Sequence, residues 1–166
     1  MPQEKLEVII VTGKVNSGKT TILEKLVSDE KSKGISPTGI IARGVLEGET
    51  KVGFDVRDLS SGSSMPLARI GKMADHGFSV GKYSFSTHAF KFAQRAILNF
   101  RRMGVVFLDE VGPLELNNEG YANCLRALLE SDISRLYVAV RSDFLPEFSS
   151  KFLKSNPARI IKADHH

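Results

Sequence analysis

The chain has 166 residues, 42% apolar and 25% charged, enough for the core of one globular domain and too few for two. Its formal charge of +4 suits a polyanionic ligand, but basic residues are interspersed with acids, as in Glu24-Lys25 and Asp29-Glu30-Lys31, so a basic arm is excluded and no nucleic-acid partner is expected. A single cysteine, Cys124, forbids an intrachain disulfide; the polar start and the short apolar run after it fit neither a signal peptide nor a membrane span, so a soluble cytoplasmic protein is expected.

Leu6 to Thr12 is an apolar, β-branched run closed by Gly13, the pattern of a buried strand in a parallel sheet. Ile22, Leu23, Leu26 and Val27 then recur at helical spacing until Gly34. From Ser36 to about Ile70 the reading is β-rich, with strands over Gly39 to Leu46, Val52 to Leu59 and Met65 to Ile70 separated by glycine-bearing turns. Gly71 to Gly81 reads as a long loop, with a moving lid and an ordinary surface loop both open. A helix is expected from His88 to Arg102, ended by Gly104, and a second buried strand at Val105 to Leu108. Tyr121, Cys124, Leu125, Leu128 and Leu129 mark another amphipathic helix. Leu136 to Val140 is a third buried strand, Phe144 to Phe152 a short helix, and Ile160-Ile161 the seed of a last strand. This alternation predicts a single three-layer α/β domain over 1–164, with a largely parallel sheet plus antiparallel hairpin strands, and a short tail at 165–166.

Between the first strand and first helix lies Gly13-Lys14-Val15-Asn16-Ser17-Gly18-Lys19-Thr20, followed by Thr21. Glycines at the two ends of this loop let successive N–H groups converge on phosphates at a helix N-terminus. Lys19 is placed to reach the β and γ phosphates, and the Thr20 hydroxyl to ligate magnesium (Mg2+) between them.

Val105 to Glu110 has the form of a strand delivering two acids to the carboxyl edge of the sheet, where open α/β folds bind ligands. Asp109 is the expected magnesium ligand beside Thr20. Glu110 is expected to orient and deprotonate water, a role worth roughly two to four powers of ten, which favours hydrolysis over transfer to an acceptor. Gly112 turns the chain close by. Glu115 falls near the same edge, with a structural or solvated role favoured slightly over a catalytic one.

No Asn-Lys-x-Asp element follows, so strict GTP specificity is not expected. Arg141, after the third buried strand, is the favoured candidate for an internal arginine finger, with Arg43 and Arg57 as alternatives; such a group contributes roughly three to five powers of ten. The four histidines show no metal-ligand spacing, so no metal beyond magnesium is implied.

Taken together these segments resemble the small nucleoside-triphosphatase family first recognised in thermophiles, which has a human cancer-related member. The resemblance is carried by Gly13 to Thr20, by Val52-Gly53-Phe54-Asp55 with Asp58-Leu59, by Val80-Gly81-Lys82-Tyr83, and by Phe107-Leu108-Asp109-Glu110-Val111-Gly112-Pro113-Leu114-Glu115-Leu116. It implies a RecA-like P-loop fold and magnesium-dependent hydrolysis of ATP, GTP, CTP and UTP with broad base tolerance. The chain departs from the family at Arg43-Gly44, where acids are usual, so no role of those acids carries over. Two other readings stay open: a small nucleotide or metabolite kinase with Gly71 to Gly81 as its lid, and a nucleotide-dependent switch acting on an unidentified protein partner.

Overall fold

The computed structural model describes residues 6–71, 76–154 and 156–163. Its elements run β1 (Glu7–Gly13), α1 (Lys19–Ser32), β2 (Thr38–Glu47), β3 (Thr50–Asp58), β4 (Ser64–Ile70), β5 (His76–Val80), β6 (Tyr83–Ser86), α2 (Thr87–Leu98), β7 (Val105–Val111), α3 (Pro113–Leu116), α4 (Ala122–Leu129), β8 (Arg135–Arg141), α5 (Leu145–Phe148) and β9 (Ala158–Lys162). A 3-10 turn and a π turn flank α5, so 142–153 is helical throughout.

One sheet holds all nine strands in the order β5-β6-β4-β3-β2-β7-β8-β1-β9. The five from β2 to β9 are parallel and form the expected parallel core; the other four join β2 through antiparallel pairings. Alternation along the parallel strands sends side chains into two separate cores. Ile9, Val11, Phe107 and Ala139 face Leu23 and Val27 of α1. Val8, Ile10, Val106, Leu108 and Val138 face α2 and α4 through Ala93, Ile97, Leu125 and Leu128, with Phe148 and Phe152 behind. These are the three layers that alternating strands and helices require. Cys124 is buried in the second core, as its place on the apolar stripe predicts.

The structure corrects two boundaries. The expected loop from Gly71 to Gly81 contains β5, which pairs antiparallel with β6, and Phe78 stacks on Phe85 with centroids 5.0 Å apart. Its glycines disguise a strand held by aromatic pairing across the ladder; positions 72–75 lie outside the described residues. The helix expected to reach Arg102 ends at Leu98. There the chain turns so that the Gly104 N–H donates to the Arg101 carbonyl in a local turn (2.9 Å) and the Met103 N–H to the Asp132 carbonyl (2.8 Å), a tertiary partner that outcompetes another helical turn.

Close backbone approach joins β2 to β7 within the parallel core. Gly39, at φ +99°, lies opposite Phe107, and a Cβ there would strike the Phe107 carbonyl oxygen.

Candidate active site

The phosphate loop follows β1 directly. Asn16 (φ +60°) and Gly18 (φ +94°) take left-handed backbone conformations, turning the chain into the first turn of α1. Lys19 is buried and folds back along the loop, its ammonium donating to the carbonyls of Lys14 (2.8 Å) and Gly13 (3.3 Å). The Ser17 hydroxyl is buried without a hydrogen-bond partner. The loop thus presents its cation and backbone at a helix N-terminus, as the Gly-x-x-x-x-Gly-Lys-Thr spacing demands.

β7 brings the two acids beside it. Its register against β8 shifts between Leu108 and Val111, so Asp109 and Glu110 sit in a bulge at the carboxyl edge of the sheet. Asp109 is buried; its Oδ2 accepts from the Thr20 hydroxyl (2.9 Å) and from the Ala42 N–H of β2 (3.1 Å). Burial, then the adjacent Glu110 charge, push its carboxyl up to about 7, against the opposing pull of Ala42, Thr20 and Lys19. Glu110 keeps an exposed face, yet desolvation of its carboxyl raises its pKa, while the charges of Lys19, Arg141 and Lys51 pull it down. The peptide between the two acids is cis.

Thr20 and Asp109 therefore present hard oxygens side by side at the loop's mouth. No group of three or more His, Cys, Asp or Glu side chains suited to a metal exists among the described residues. That donor set fits magnesium held jointly by one carboxylate, one hydroxyl and substrate phosphates, and does not fit an all-protein cage.

Other candidates fall into distinct places. Gly112 caps α3, and its N–H donates to Glu115 Oε1 at 2.7 Å. Glu115 also accepts from the Tyr121 N–H at 2.9 Å and is buried rather than solvated, so it ties the loop after β7 to α4. Arg141 pairs with Gly13 in the β8–β1 register, which sets it next to the phosphate loop. Its guanidinium is bidentate to Asp143 (2.9 Å twice) and lies over Phe144. Arg43 is turned away to Glu24 of α1 (2.7 Å), and Arg57 lies farther down β3, opposite Ser64. Lys51 is the residue that sequence reading missed: from β3 its ammonium reaches Asn16 Oδ1 on the phosphate loop at 2.6 Å. No local motif announces that contact, because it exists only once the β2–β3 hairpin folds over the loop.

A sequence profile described as NTPase matches residues 8–165. The chain is 35% identical over 125 residues to the nucleoside-triphosphatase THEP1 of Thermofilum pendens, covering 74% of this chain and 68% of that protein. It is 30% identical over 131 residues to the protein of the same name from Methanopyrus kandleri, covering 78% and 71%. Among solved structures, a human cancer-related nucleoside triphosphatase superposes with a TM-score of 0.73 at 23% identity over 94% of this chain and 88% of that one. THEP1 of Aquifex aeolicus superposes equally well, with a TM-score of 0.73 at 19% identity over 95% and 90% of the two chains. These two structures share the fold.

Proposed function

The chain belongs to the NTPase family and is a nucleoside-triphosphatase, and from that premise we propose that it hydrolyses ATP, GTP, CTP and UTP to diphosphate and phosphate with magnesium, without strict choice of base. The observation that carries this reading is the pairing of Thr20 with Asp109 beside Glu110, Lys19 and the loop N–H groups.

Each role follows from position. N–H groups of Gly13 to Thr21 and the Lys19 ammonium bind the phosphates and stabilise the charge that builds on the terminal phosphoryl group. Thr20 and Asp109 would hold magnesium, which when bound would neutralise phosphate charge. Glu110, ionised, accepts a proton from the attacking water and orients it in line with the bond to be broken. The charges of Lys19, Arg141 and Lys51 oppose the desolvation that raises its pKa. Gly112 follows the acidic bulge, and its N–H donates to Glu115 Oε1 at 2.7 Å. Arg141, the arginine-finger candidate favoured from the sequence, stands beside Gly13 but is paired with Asp143, so it would have to leave that ion pair to reach the phosphates.

Broad base tolerance is supported by the lack of an Asn-Lys-x-Asp element in the sequence. Among the described residues no helix is long and apolar enough to cross a membrane. The buried free thiol of Cys124 suits a reducing compartment, and we assign the reaction to the cytoplasm.

The test is phosphate release from the four nucleotides with and without magnesium, for the parent and for Glu110→Gln. The parent should release phosphate from all four only with the metal. Glu110→Gln should bind nucleotide with near-parental affinity and release phosphate about 10²–10⁴-fold more slowly. Label from the γ position arriving on an added acceptor, with none as free phosphate, would overturn hydrolysis in favour of a kinase.

A further inference from the structure

The cations near the phosphate loop differ in how they are neutralised. Arg43 is spent on Glu24 and Arg141 on Asp143. Lys51 has no carboxylate within 4 Å among the described residues; its hydrogen-bond partner is the neutral amide oxygen of Asn16, at 2.6 Å. Its charge is therefore undivided, and it is felt at Glu110, where Lys51 is one of the three cations lowering the pKa.

Local structure is arranged to deliver that ammonium. In the β2–β3 ladder Val45 pairs with Gly53 but Leu46 pairs with Lys51, so a bulge at Val52 breaks the alternation and re-aims Lys51. Its stem crosses Gly44, where a Cβ would sit 2.9 Å from Lys51 Cε. The Phe54 ring lies 5.1 Å from the Nζ, close enough for a cation–π contact. Bulge, glycine and aromatic ring thus converge on one placement, against Asn16 of the phosphate loop.

We propose that Lys51 is a catalytic residue of this reaction, an intramolecular cationic finger from the β2–β3 hairpin that contacts the terminal phosphoryl group. Two demands meet at this position. Transfer of the phosphoryl group to water spreads negative charge over oxygens pointing away from the loop backbone, and a cation reaching down from outside complements Lys19, which lies within the loop. An unpaired lysine supplies that charge without first breaking an ion pair. Because diphosphate lacks the terminal group, Lys51 distinguishes triphosphate from diphosphate, and the chemistry it recognises is a phosphoryl dianion, independent of the base.

This inference rests on the hydrolysis reading, and its test separates the two. Lys51→Met keeps the stem over Gly44 and Phe54 but removes the charge; Lys51→Arg keeps the charge. For each, kcat, KM and the ratio of affinities for a non-hydrolysable triphosphate analogue and the diphosphate are measured, with melting temperature as a check on folding. Lys51→Met should lower kcat about 10²–10³-fold and shift the affinity ratio toward diphosphate, and Lys51→Arg should recover most of both. Gly44→Ala, which leaves the lysine in place but obstructs its stem, should reduce kcat in the same direction. Unchanged kcat and ratio in Lys51→Met, with only a lower melting temperature, would reduce Lys51 to a tether between hairpin and loop and overturn the proposal while the parent still hydrolyses nucleotide. If the parent releases no phosphate, the affinity ratio alone still decides whether Lys51 reads the terminal group.

Discussion

Thr20, at the start of α1, donates its hydroxyl proton to Asp109 Oδ2 at 2.9 Å, across 89 positions of chain. The contact joins the phosphate loop to the acidic strand end and sets a carboxylate where water is largely excluded. Such a site costs folding energy when the carboxylate ionises, because its solvation in the unfolded chain is only partly replaced.

That cost has a sign. The Asp109 carboxyl titrates at about 7 in the folded protein against an ordinary value of 3.8. Stability from this group is fully present below about 3.8 and is lost as pH rises through about 7. Asp109→Asn, which preserves an acceptor for Thr20 and Ala42, should therefore melt higher than the parent at pH 8 in chelator, with a smaller gap at pH 5. Differential scanning calorimetry at the two pH values checks this, and equal gaps would remove Asp109 as the source.

Loss of the Thr20 hydroxyl should appear in the metal requirement. Thr20→Ala should raise the magnesium concentration for half-maximal phosphate release roughly ten- to hundredfold, while Thr20→Ser stays near the parent. A metal titration of initial rates distinguishes this from a uniform loss of rate.

Glu115 should behave as a structural acid. Glu115→Ala strands the N–H groups of Gly112 and Tyr121 and should cost about 3 kcal/mol, read as a lower urea midpoint. At temperatures where the variant is folded, its kcat should stay within an order of magnitude of the parent's, unlike that of Glu110→Gln.

Two glycines with positive φ should respond unequally to alanine. Gly39→Ala drives a Cβ into the Phe107 backbone and should cost more than about 3 kcal/mol. Gly62, at φ +79°, has nothing within 4 Å of such a Cβ, so Gly62→Ala should cost only about 1 kcal/mol, from the backbone conformation alone. Paired denaturation curves test the difference.

Most of the parallel core was legible because its signals are local. A β-branched run ending in glycine predicts β1 whatever surrounds it, and the apolar spacing of Leu23 and Val27 predicts the buried face of α1. β5 and β6 were missed because both are short, β5 carries a glycine, and they are held by Phe78 stacking on Phe85, a partner found only across the ladder. Glu30 shows the same limit: it reads as one more exposed helix acid, yet it is fully buried, accepting from Tyr137 Oη (2.8 Å) and Arg135 (2.6 Å) of β8.

At the site the division is sharper. Sequence by itself determined the phosphate loop and the delivery of two acids to a strand end, since both depend on backbone freedom and residue spacing within a dozen positions. Only tertiary structure decided that Asp109 meets Thr20, that Glu115 ties down a loop beside the mouth, and that Lys51 crosses Gly44 to stand over Asn16. Those relationships come from a bulge in β7, a bulge in β3 and the order in which strands join the sheet. Register and strand order are settled by long-range packing, which no local pattern in the chain encodes.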